Sequence, residues 1–503
     1  MNTNQPIQRC LVTGATGYVG GRLVRELLTA GFEVRVLARH PEKLRDFPWA
    51  PQIEVVFGDA GNPEDVRRAL EGMDVAYYLL HSLQEGPSLE HEESRIATNF
   101  AEQAAKSDLR RIVYLGGLAP EIPTEKMSPH MRSRVEVGTI LRATGIPTIE
   151  LRAAVIIGSG SASFEMLRYL TERLPAMVTP RWVRTKTQPI AVRDVLRILV
   201  ACATLPPEVS RVFDIGGPDV LTYQQMMQRY AAVAGLPPRI ILPINLLSPQ
   251  LSSHWVSLVT PVPRAIARPL VQSLRHPAIC HESDIKEFIP DPPQGLVPFD
   301  EAVELALTRI RDAQVTTRWS GATMQGAPDQ PMPSDPDWAG GSLYEDIRTV
   351  ESSAPPEDMW KAVDRIGGNN GWYSASLMWE VRGLIDRIVG GVGLRRGRRN
   401  PDSLVVGDVV DFWRVEERLP PNLLRLRAEM KMPGRAWLEF TVNAREDGGS
   451  TLIQRAVYWP KGLSGHAYWW SVAPFHAFVF PPMARRIVEQ AETGSRAPAT
   501  LGT

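Results

Sequence analysis

Short apolar runs alternate with amphipathic segments through the first part of the chain. The runs predict buried strands at 9–13, 34–37, 75–80, 111–115, 148–157 and 212–215. Between them apolar residues recur at helical spacing, and Asn62-Pro63-Glu64 is typical of a helix start because it offers an N-cap, a first-turn proline and an early acid. Strands that alternate with helices in this order predict an α/β fold with a doubly wound parallel sheet of Rossmann type.

The pattern changes twice further along the chain. From about 237 to 290 the chain is apolar but interrupted by many prolines, which predicts a small region of short helices. Two interpretations of this region stay open: a cap over a substrate cleft, or a contact with a membrane surface. Residues 321–341 combine prolines, glycines and aspartates without periodicity, as a linker does.

A different pattern follows the linker. Alternating positions predict strands at 409–415, 423–431, 436–442 and 451–459. A turn at 446–449 joins the last two strands as a hairpin, and a helix from Met483 to Glu492 follows. With a strand near 343–350 and helices between 355 and 393, this order predicts a separate α+β domain. The predicted organisation is a domain at 1–320, the linker, a domain at 342–495 and a tail at 496–503.

Charge and cysteine content narrow the possible functions. Lys+Arg and Asp+Glu both number 56, so the net charge is zero and no nucleic-acid partner is expected. Cys10, Cys202 and Cys280 lie far apart, which excludes a disulfide scaffold and a cysteine-based zinc site, and no metal site is expected. The first residues show no signal-peptide pattern, and the uncharged stretch at 462–484 is too polar and too rich in proline to span a bilayer. The expected location is the reduced cytoplasm, and the sequence does not indicate an oligomeric state.

The first candidate site is the glycine-rich turn after the first strand. It comprises Gly14, Ala15, Thr16, Gly17, Tyr18, Val19 and Gly20. Glycines in such a turn allow a tight bend and a close approach of a pyrophosphate, while the amides at the start of the following helix face the anion. The strand before the turn and the helix after it are the context that a dinucleotide site requires.

Three further strand ends contribute candidate cofactor residues. Arg39 follows the second strand, where an NAD-selective site has an acid, and its guanidinium suits the 2′-phosphate of NADP. Asp59 and Ala60 follow the third strand near the expected adenine, although Asp59 is also a common turn residue. Leu80 and His81 end the fourth strand beside the expected nicotinamide, and a core or rim role for His81 stays open.

These residues resemble the short-chain dehydrogenase/reductase superfamily in its extended and atypical branches, which include the 39-kDa accessory subunit of respiratory complex I. The resemblance covers about residues 7–310. It is carried by the run Thr13 to Gly20, by Gly58-Asp59, by Arg152 before Gly158 and by Pro189 to Val195. The resemblance implies a Rossmann fold and NADP binding, but it does not imply a particular reaction.

The sequence departs from that superfamily at the catalytic positions. Active members have a serine after the fifth strand and a Tyr-x-x-x-Lys on the next helix, whereas this chain has Gly116-Gly117 and His130-Met131-Arg132-Ser133-Arg134. We expect His130 and Arg134 to border the nicotinamide ribose. An imidazolium at His130 would be a proton donor near neutral pH, and Arg134 would hold ribose hydroxyls. A polar residue at a helix start is the alternative for His130.

The second domain resembles the START-like, helix-grip architecture in its element order and in its closing helix. That resemblance implies an apolar cavity between the sheet and the last helix. Tryptophans (Trp379, Trp413, Trp437, Trp459, Trp469 and Trp470) either line the cavity or form a core. The basic run at 395–399 either binds anionic head groups of a membrane or is a solvated loop.

Two function hypotheses follow from the sequence. The first is an NADP(H)-dependent oxidoreductase that acts on a hydrophobic carbonyl, lipid or quinone-like substrate. The second, favoured by the missing Ser-Tyr-Lys set, is a non-catalytic NADP(H)-binding redox sensor or assembly protein. Consumption of NADPH on addition of a carbonyl or quinone distinguishes the two.

Overall fold

The structure, a computed structural model, divides the chain into two compact units, Met1–Gly341 and Ser342–Thr503. It describes residues 8–45, 47–81, 87–120, 122–244, 271–315, 343–367 and 403–496, together with the single residues Thr260, Arg268 and Trp372. The predicted linker, residues 245–259, 261–267 and 269–270 of the predicted 237–290 region, the basic run at 395–399, Trp379 and the predicted helices after residue 372 lie outside these residues.

The first unit alternates strands and helices over most of its length. Its described elements are β1 Arg9–Thr13, α1 Tyr18–Thr29, β2 Glu33–Ala38, β3 Glu54–Phe57, α2 Pro63–Leu70, β4 Val75–Tyr78, α3 Pro87–Ala104, β5 Arg111–Gly117, α4 Pro129–Arg142, β6 Thr148–Ala153, β7 Ile156–Ile157, α5 Ala162–Arg173, β8 Ala176–Pro180, β9 Lys186–Thr187, β10 Ile190–Ala191, α6 Val192–Cys202, β11 Arg211–Ile215, β12 Leu221–Thr222, α7 Tyr223–Val233, β13 Ile240–Ile244, α8 Ile285–Phe288 and α9 Phe299–Val315.

The main sheet confirms the predicted fold class. Seven parallel strands are ordered β11-β6-β5-β4-β1-β2-β3, which is the Rossmann arrangement with a crossover on each side of β1. Side chains alternate across the sheet, so Leu11 packs against the α2–α3–α4 layer while Val12 packs against the α1–α6 layer. Both faces of β1 are therefore buried, which explains why its sequence is a continuous apolar run.

Helix starts in this unit follow local rules that the sequence displays. The Asn62 side chain accepts a hydrogen bond from the Glu64 amide at 3.0 Å, and Thr222 forms a capping box with Gln225 at the start of α7. The structure differs from the expected 148–157 strand, because it ends at Ala153 and β7 pairs with β10 instead of continuing in the main sheet. The described start of the proline-rich region is also a strand, β13, paired in parallel with β8, since Ile240-Ile241-Leu242 favours extended backbone.

The second unit contains an antiparallel sheet and a long last helix. Its described elements are β14 Tyr344–Ser352, α10 Pro356–Asp364, β15 Val409–Val410, β16 Trp413–Leu419, β17 Leu423–Ala428, β18 Gly434–Ala444, β19 Ser450–Pro460 and α11 Gly462–Arg496. The six strands are ordered β14-β19-β18-β17-β16-β15. The separate antiparallel sheet confirms the α+β character of the prediction, while the START-like resemblance stays a prediction.

The last helix was predicted too short. It begins at Gly462 and not at Met483, and it contains Pro474, Pro481 and Pro482. Prolines normally break helices because they lack an amide hydrogen. Here one face of the helix packs on the sheet through Val479, Phe480 and Met483, so burial holds it across the prolines. No helix among the described residues is long and apolar enough to cross a membrane.

Candidate active site

The glycine-rich turn between β1 and α1 is shaped by close backbone contacts. Gly14 has a φ of +74°, and a Cβ atom there would lie 2.6 Å from the carbonyl oxygen of Leu79. A Cβ atom at Gly20 would lie 2.2 Å from the carbonyl oxygen of Gly14. Thr13 Oγ1 donates to the Tyr77 carbonyl at 3.1 Å and accepts from the Leu79 amide at 3.2 Å, so it ties the ends of β1 and β4 together.

This turn fits a dinucleotide pyrophosphate. Thr16 and Gly17 are exposed directly before α1, whereas Ala15 is buried and anchors the turn. No side chain caps the helix start at Gly17, and a helix N-terminus of this kind favours an anion. The assignment of Gly14–Gly20 to the cofactor phosphates stays a prediction, with which the close-packed turn is compatible.

The residues predicted for the adenosine end lie beside one another. Arg39 Nη1 is 4.0 Å from Asp59 Oδ2, and both side chains are largely exposed. Asp59 Oδ1 accepts from the Gly61 amide at 2.8 Å, which orients the carboxylate. Ala60 differs from its neighbours, since its side chain is buried in the core and its carbonyl accepts from Asn99 at 2.6 Å. Ala60 therefore shapes the loop, and Arg39 and Asp59 offer the accessible polar atoms.

The nicotinamide end holds a compact cluster of polar side chains. The rings of His81 and His130 lie 4.9 Å apart. His81 Nδ1 is 3.3 Å from Glu93 Oε1, and Ser133 also donates to Glu93. Arg134 donates from Nη1 to the carbonyl of Leu115 at 2.9 Å. The sequence interpretation that placed His81, His130 and Arg134 at one site is consistent with this geometry, and Leu80 contributes its backbone, which lies next to Gly14.

Glu93 and Ser133 were missed as functional residues. Glu93 lies early in α3, in the run His91-Glu92-Glu93, and Ser133 lies inside the segment aligned with Tyr-x-x-x-Lys. The signal available in the sequence was helical spacing, which puts Glu93 on the face of α3 that packs against α4. Ser94 on the same helix also bonds to α4, through Glu136 at 2.9 Å.

Both histidines of the cluster are neutral at pH 7. Burial, together with the positive charge of Arg134, lowers the pKa of His81 to about 4. Burial, then His81 and Arg134, lowers the pKa of His130 well below its ordinary value. The expectation that His130 acts as an imidazolium near neutral pH therefore needs correction. In this site the guanidinium of Arg134 carries the positive charge, and the imidazoles are neutral hydrogen-bonding groups.

Stability should depend on pH through this cluster. Between pH 6.5 and 4 the unfolded chain binds a proton at His81 that the folded chain does not, so the free energy of unfolding should fall as the pH falls through this window. The loss attributable to His81 approaches about 3 kcal/mol at pH 4. Urea unfolding at pH 7 and pH 4 measures it, and His81→Asn should show a smaller pH-dependent loss.

The matched control for that experiment is His91→Asn. His91 lies on α3 near Glu93 but is exposed to solvent. Its replacement should leave the pH dependence of unfolding unchanged. An equal pH dependence in wild type and His81→Asn would contradict the burial of a neutral imidazole.

A cavity of about 280 Å³ adjoins the cluster. Its wall combines Tyr18 and Val19 of the glycine-rich turn with His81, His130 and Arg134. The remaining lining residues are mostly small or apolar: Leu115, Gly116, Gly117, Leu118, Pro120, Met131, Ala153, Ala154, Val155, Ile156, Ser161, Ala162, Ser163, Thr187, Tyr223, Ser273, Leu274, His276, Pro277 and Ala278. A largely apolar cavity with a few polar groups beside a glycine-rich turn has the form of a small-molecule binding site.

The end of β5 has no serine at the position where active members of the superfamily have one. A Cβ atom at Gly117 would lie 3.4 Å from the Met131 side chain, so Met131 fills the space next to this backbone. Two phenols, Tyr18 and Tyr223, also line the cavity, and burial raises the pKa of Tyr223. At the positions aligned with Ser, Tyr and Lys of the superfamily, this chain therefore has glycine, an imidazole and a guanidinium.

Comparison with known proteins agrees with this geometry. A family model described as NAD(P)H-binding matches residues 14–154, and one described as a protein of unknown function (DUF2867) matches residues 338–483. The chain is 30% identical over 236 residues to a (4-alkanoyl-5-oxo-2,5-dihydrofuran-3-yl)methyl phosphate reductase from Streptomyces griseus, covering 46% of this chain and 75% of that protein. It is 29% identical over 256 residues to a ceramide reductase from Caulobacter vibrioides, covering 49% and 78%.

Among solved structures, the triphenylmethane reductase of a Citrobacter species in complex with NADP(H) superimposes with a TM-score of 0.47 at 19% identity, covering 59% of this chain and 99% of the other. The family assignment rests on the sequence relatives and on the matched domain. The chain belongs to the NAD(P)H-binding reductases of the atypical short-chain dehydrogenase/reductase type.

Proposed function

We propose that this protein is an NADPH-dependent reductase whose substrate is an apolar carbonyl compound. The observation that carries the proposal is a cavity lined both by Tyr18 and Val19 of the dinucleotide turn and by many apolar side chains. His81, His130 and Arg134 in its wall would recognise the oxygenated part of a substrate, while Leu118, Val155 and similar residues would meet the apolar remainder.

Two sequence relatives support a lipid-like substrate. Their names specify an alkanoyl compound and a ceramide, and both names include reductase. Long apolar chains attached to an oxygenated head suit a chamber that is mostly apolar and contains a few polar groups. The predicted small hydrophobic ligand is therefore assigned to this cavity, with its oxygen toward Arg134.

The chain's own residues would stabilise charge at the substrate oxygen. When bound, NADPH supplies a hydride. The negative charge that the carbonyl oxygen then gains is balanced by Arg134, while the neutral imidazole of His130 donates a hydrogen bond to it. Neither ring nitrogen of His130 is hydrogen-bonded to the described residues, so the ring is available to the substrate. Because this imidazole is neutral at pH 7, water supplies the proton that completes the alcohol.

Glu93 acts as a positioning residue in this arrangement. It accepts from Ser133 and lies 3.3 Å from His81, so it links α3, α4 and the end of β4. His81 then packs against His130 and fixes the plane of that ring. In this arrangement His81 bonds to the protein through Glu93, whereas His130 contacts the substrate in the cavity.

The proposed cofactor is NADP(H) in preference to NAD(H), on the strength of Arg39. Its exposed guanidinium lies 4.0 Å from the Asp59 carboxylate and can pair with a 2′-phosphate. Arg39→Asp should raise the Kd for NADPH about tenfold and leave the Kd for NADH unchanged or lower. Calorimetric titration of both cofactors measures this, with Lys43→Asp as a matched charge change on the same side of the first unit. Equal affinity of the unaltered protein for NADH and NADPH would contradict the proposal.

A second candidate is a non-catalytic NADPH-dependent sensor, which the absence of serine at Gly117 and of tyrosine at His130 favours. The two candidates share cofactor binding and differ in turnover. NADPH oxidation should be followed with a panel of 3-oxo-acyl compounds, long-chain enones and quinones. Turnover that rises with acyl length supports the reductase, whereas tight NADPH binding without turnover on the whole panel supports the sensor. The reduced cytoplasm, which suits the free thiols of the three cysteines, is the proposed compartment.

A further inference from the structure

The outer face of the last helix, α11, is apolar although it is exposed. Leu463, Trp470, Phe475 and Phe478 have exposed fractions of 54%, 68%, 54% and 71%. These four residues are termed the aromatic stripe. Successive positions in an α-helix are about 100° apart, so Leu463, Trp470 and Phe478 lie within about 80° of one another and Phe475 lies at their edge.

The opposite face of the same helix is the one that packs on its own domain. Trp469, Val479, Phe480, Met483 and Ile487 are buried there. A helix on the surface of a soluble domain normally carries polar residues on its outer face. The aromatic stripe is therefore not needed for the core of the second unit, and an exposed apolar face of this size indicates a binding surface.

The charged residues of α11 indicate which kind of partner the aromatic stripe binds. No Asp or Glu occurs from 462 to 488. The exposed cations Lys461, Arg485 and Arg486 stand at the two ends of the stripe. Tryptophan and phenylalanine between cations are the side chains that enter the boundary between lipid head groups and acyl chains, where the cations meet anionic phosphates.

We propose that the aromatic stripe of α11 binds reversibly to the surface of an anionic lipid bilayer. The helix would lie in the plane of the interface, with Leu463, Trp470 and Phe478 inserted below the head groups and with Lys461 and Arg485 at phosphate level. The stripe spans about 22 Å, at about 1.5 Å per residue over fifteen residues. This surface differs from the segments that the sequence had suggested for membrane contact, 237–290 and 395–399.

The proposal does not depend on the reductase proposal, since no residue of the stripe belongs to the cavity in the first unit. Membrane binding would also give the proposed reductase access to its substrate, because lipid-like carbonyl compounds concentrate in the bilayer. Failure of one proposal leaves the other standing, as vesicle binding and NADPH turnover are measured separately.

The experiment is co-sedimentation of the full chain with vesicles of phosphatidylcholine containing about one third phosphatidylserine. We expect binding that weakens when salt is raised or when phosphatidylserine is left out. The double variant Trp470→Ser/Phe478→Ser should lower the partition coefficient tenfold or more, and Arg485→Glu should lower it severalfold. The matched control is Val405→Ser/Val406→Ser, which removes two exposed apolar residues from another part of the same unit.

Three results would overturn the proposal. The first is no sedimentation of the full chain with either vesicle type, and the second is equal loss of binding in the control variant. The third is a stable dimer in solution that Trp470→Ser/Phe478→Ser dissociates, because the stripe would then be an interface between two copies. Circular dichroism of each variant shows that a loss of binding does not come from a loss of folding.

Discussion

Gly17→Val should abolish NADPH binding while leaving the first unit folded. Gly17 is exposed at the start of α1 and has a φ of −90°, so a side chain there causes no backbone strain. A Cβ atom would lie 3.1 Å from the Gly14 carbonyl oxygen, which the loop can accommodate with a small shift. The two methyl groups of valine would instead occupy the space that a pyrophosphate needs in front of the helix amides. Losing two charge-assisted hydrogen bonds should raise the Kd more than about 100-fold.

Fluorescence titration of NADPH and the thermal midpoint of the apoprotein measure this effect. Gly17→Ala is the graded control, because one methyl group should cost less affinity than valine. Retention of wild-type affinity in Gly17→Val would contradict the placement of the pyrophosphate at this turn. A large fall in the thermal midpoint would instead show that Gly17 is needed for folding.

His130→Ala should lower kcat about 100-fold and leave the Kd for NADPH nearly unchanged. The imidazole adjoins His81 and lines the cavity, and in the proposed mechanism its N–H stabilises charge that develops only on the substrate oxygen. Because burial keeps this imidazole neutral, the wild-type rate should be flat from pH 6 to pH 8. A fall in rate with rising pH across that range would instead support an imidazolium donor.

Steady-state kinetics and cofactor titration of the same preparations separate the two parameters. The control is Thr139→Ala, an exposed position on the same helix, α4, which should retain full activity. Arg134→Lys keeps the positive charge and should retain more activity than Arg134→Ala. An unchanged kcat in His130→Ala would remove this residue from the mechanism and leave the cofactor site intact.

The fold of the first unit was predictable because its signals are local. The central strands β1, β4 and β5 are buried on both faces and therefore read as continuous apolar runs, as in Cys10-Leu11-Val12. The tight turn at Gly14 requires a positive φ and leaves no space for a side chain, so its glycine is visible in the sequence. The order of these signals is sufficient to identify a Rossmann sheet.

The features that could not be predicted from the sequence depend on contacts between elements that are distant in the chain. The low pKa of His81 and His130 follows from burial between α3 and α4, which no spacing within one segment reveals. The pairing of Glu93 with His81 joins two elements in the same way. Helix α11 continues through Pro474 because its inner face is buried, and local propensity alone predicts a break there.

The most direct test of the proposed activity is transfer of deuterium from NADPH in which both hydrogens at C4 of the nicotinamide are replaced by deuterium. The full chain should be incubated with a homologous series of 3-oxo-acyl substrates, and the products examined by mass spectrometry. The proposed function predicts one deuterium per NADPH oxidised, on the former carbonyl carbon, with a yield that increases with acyl length and decreases about 100-fold in His130→Ala. Micromolar binding of NADPH without deuterium in any product would contradict it.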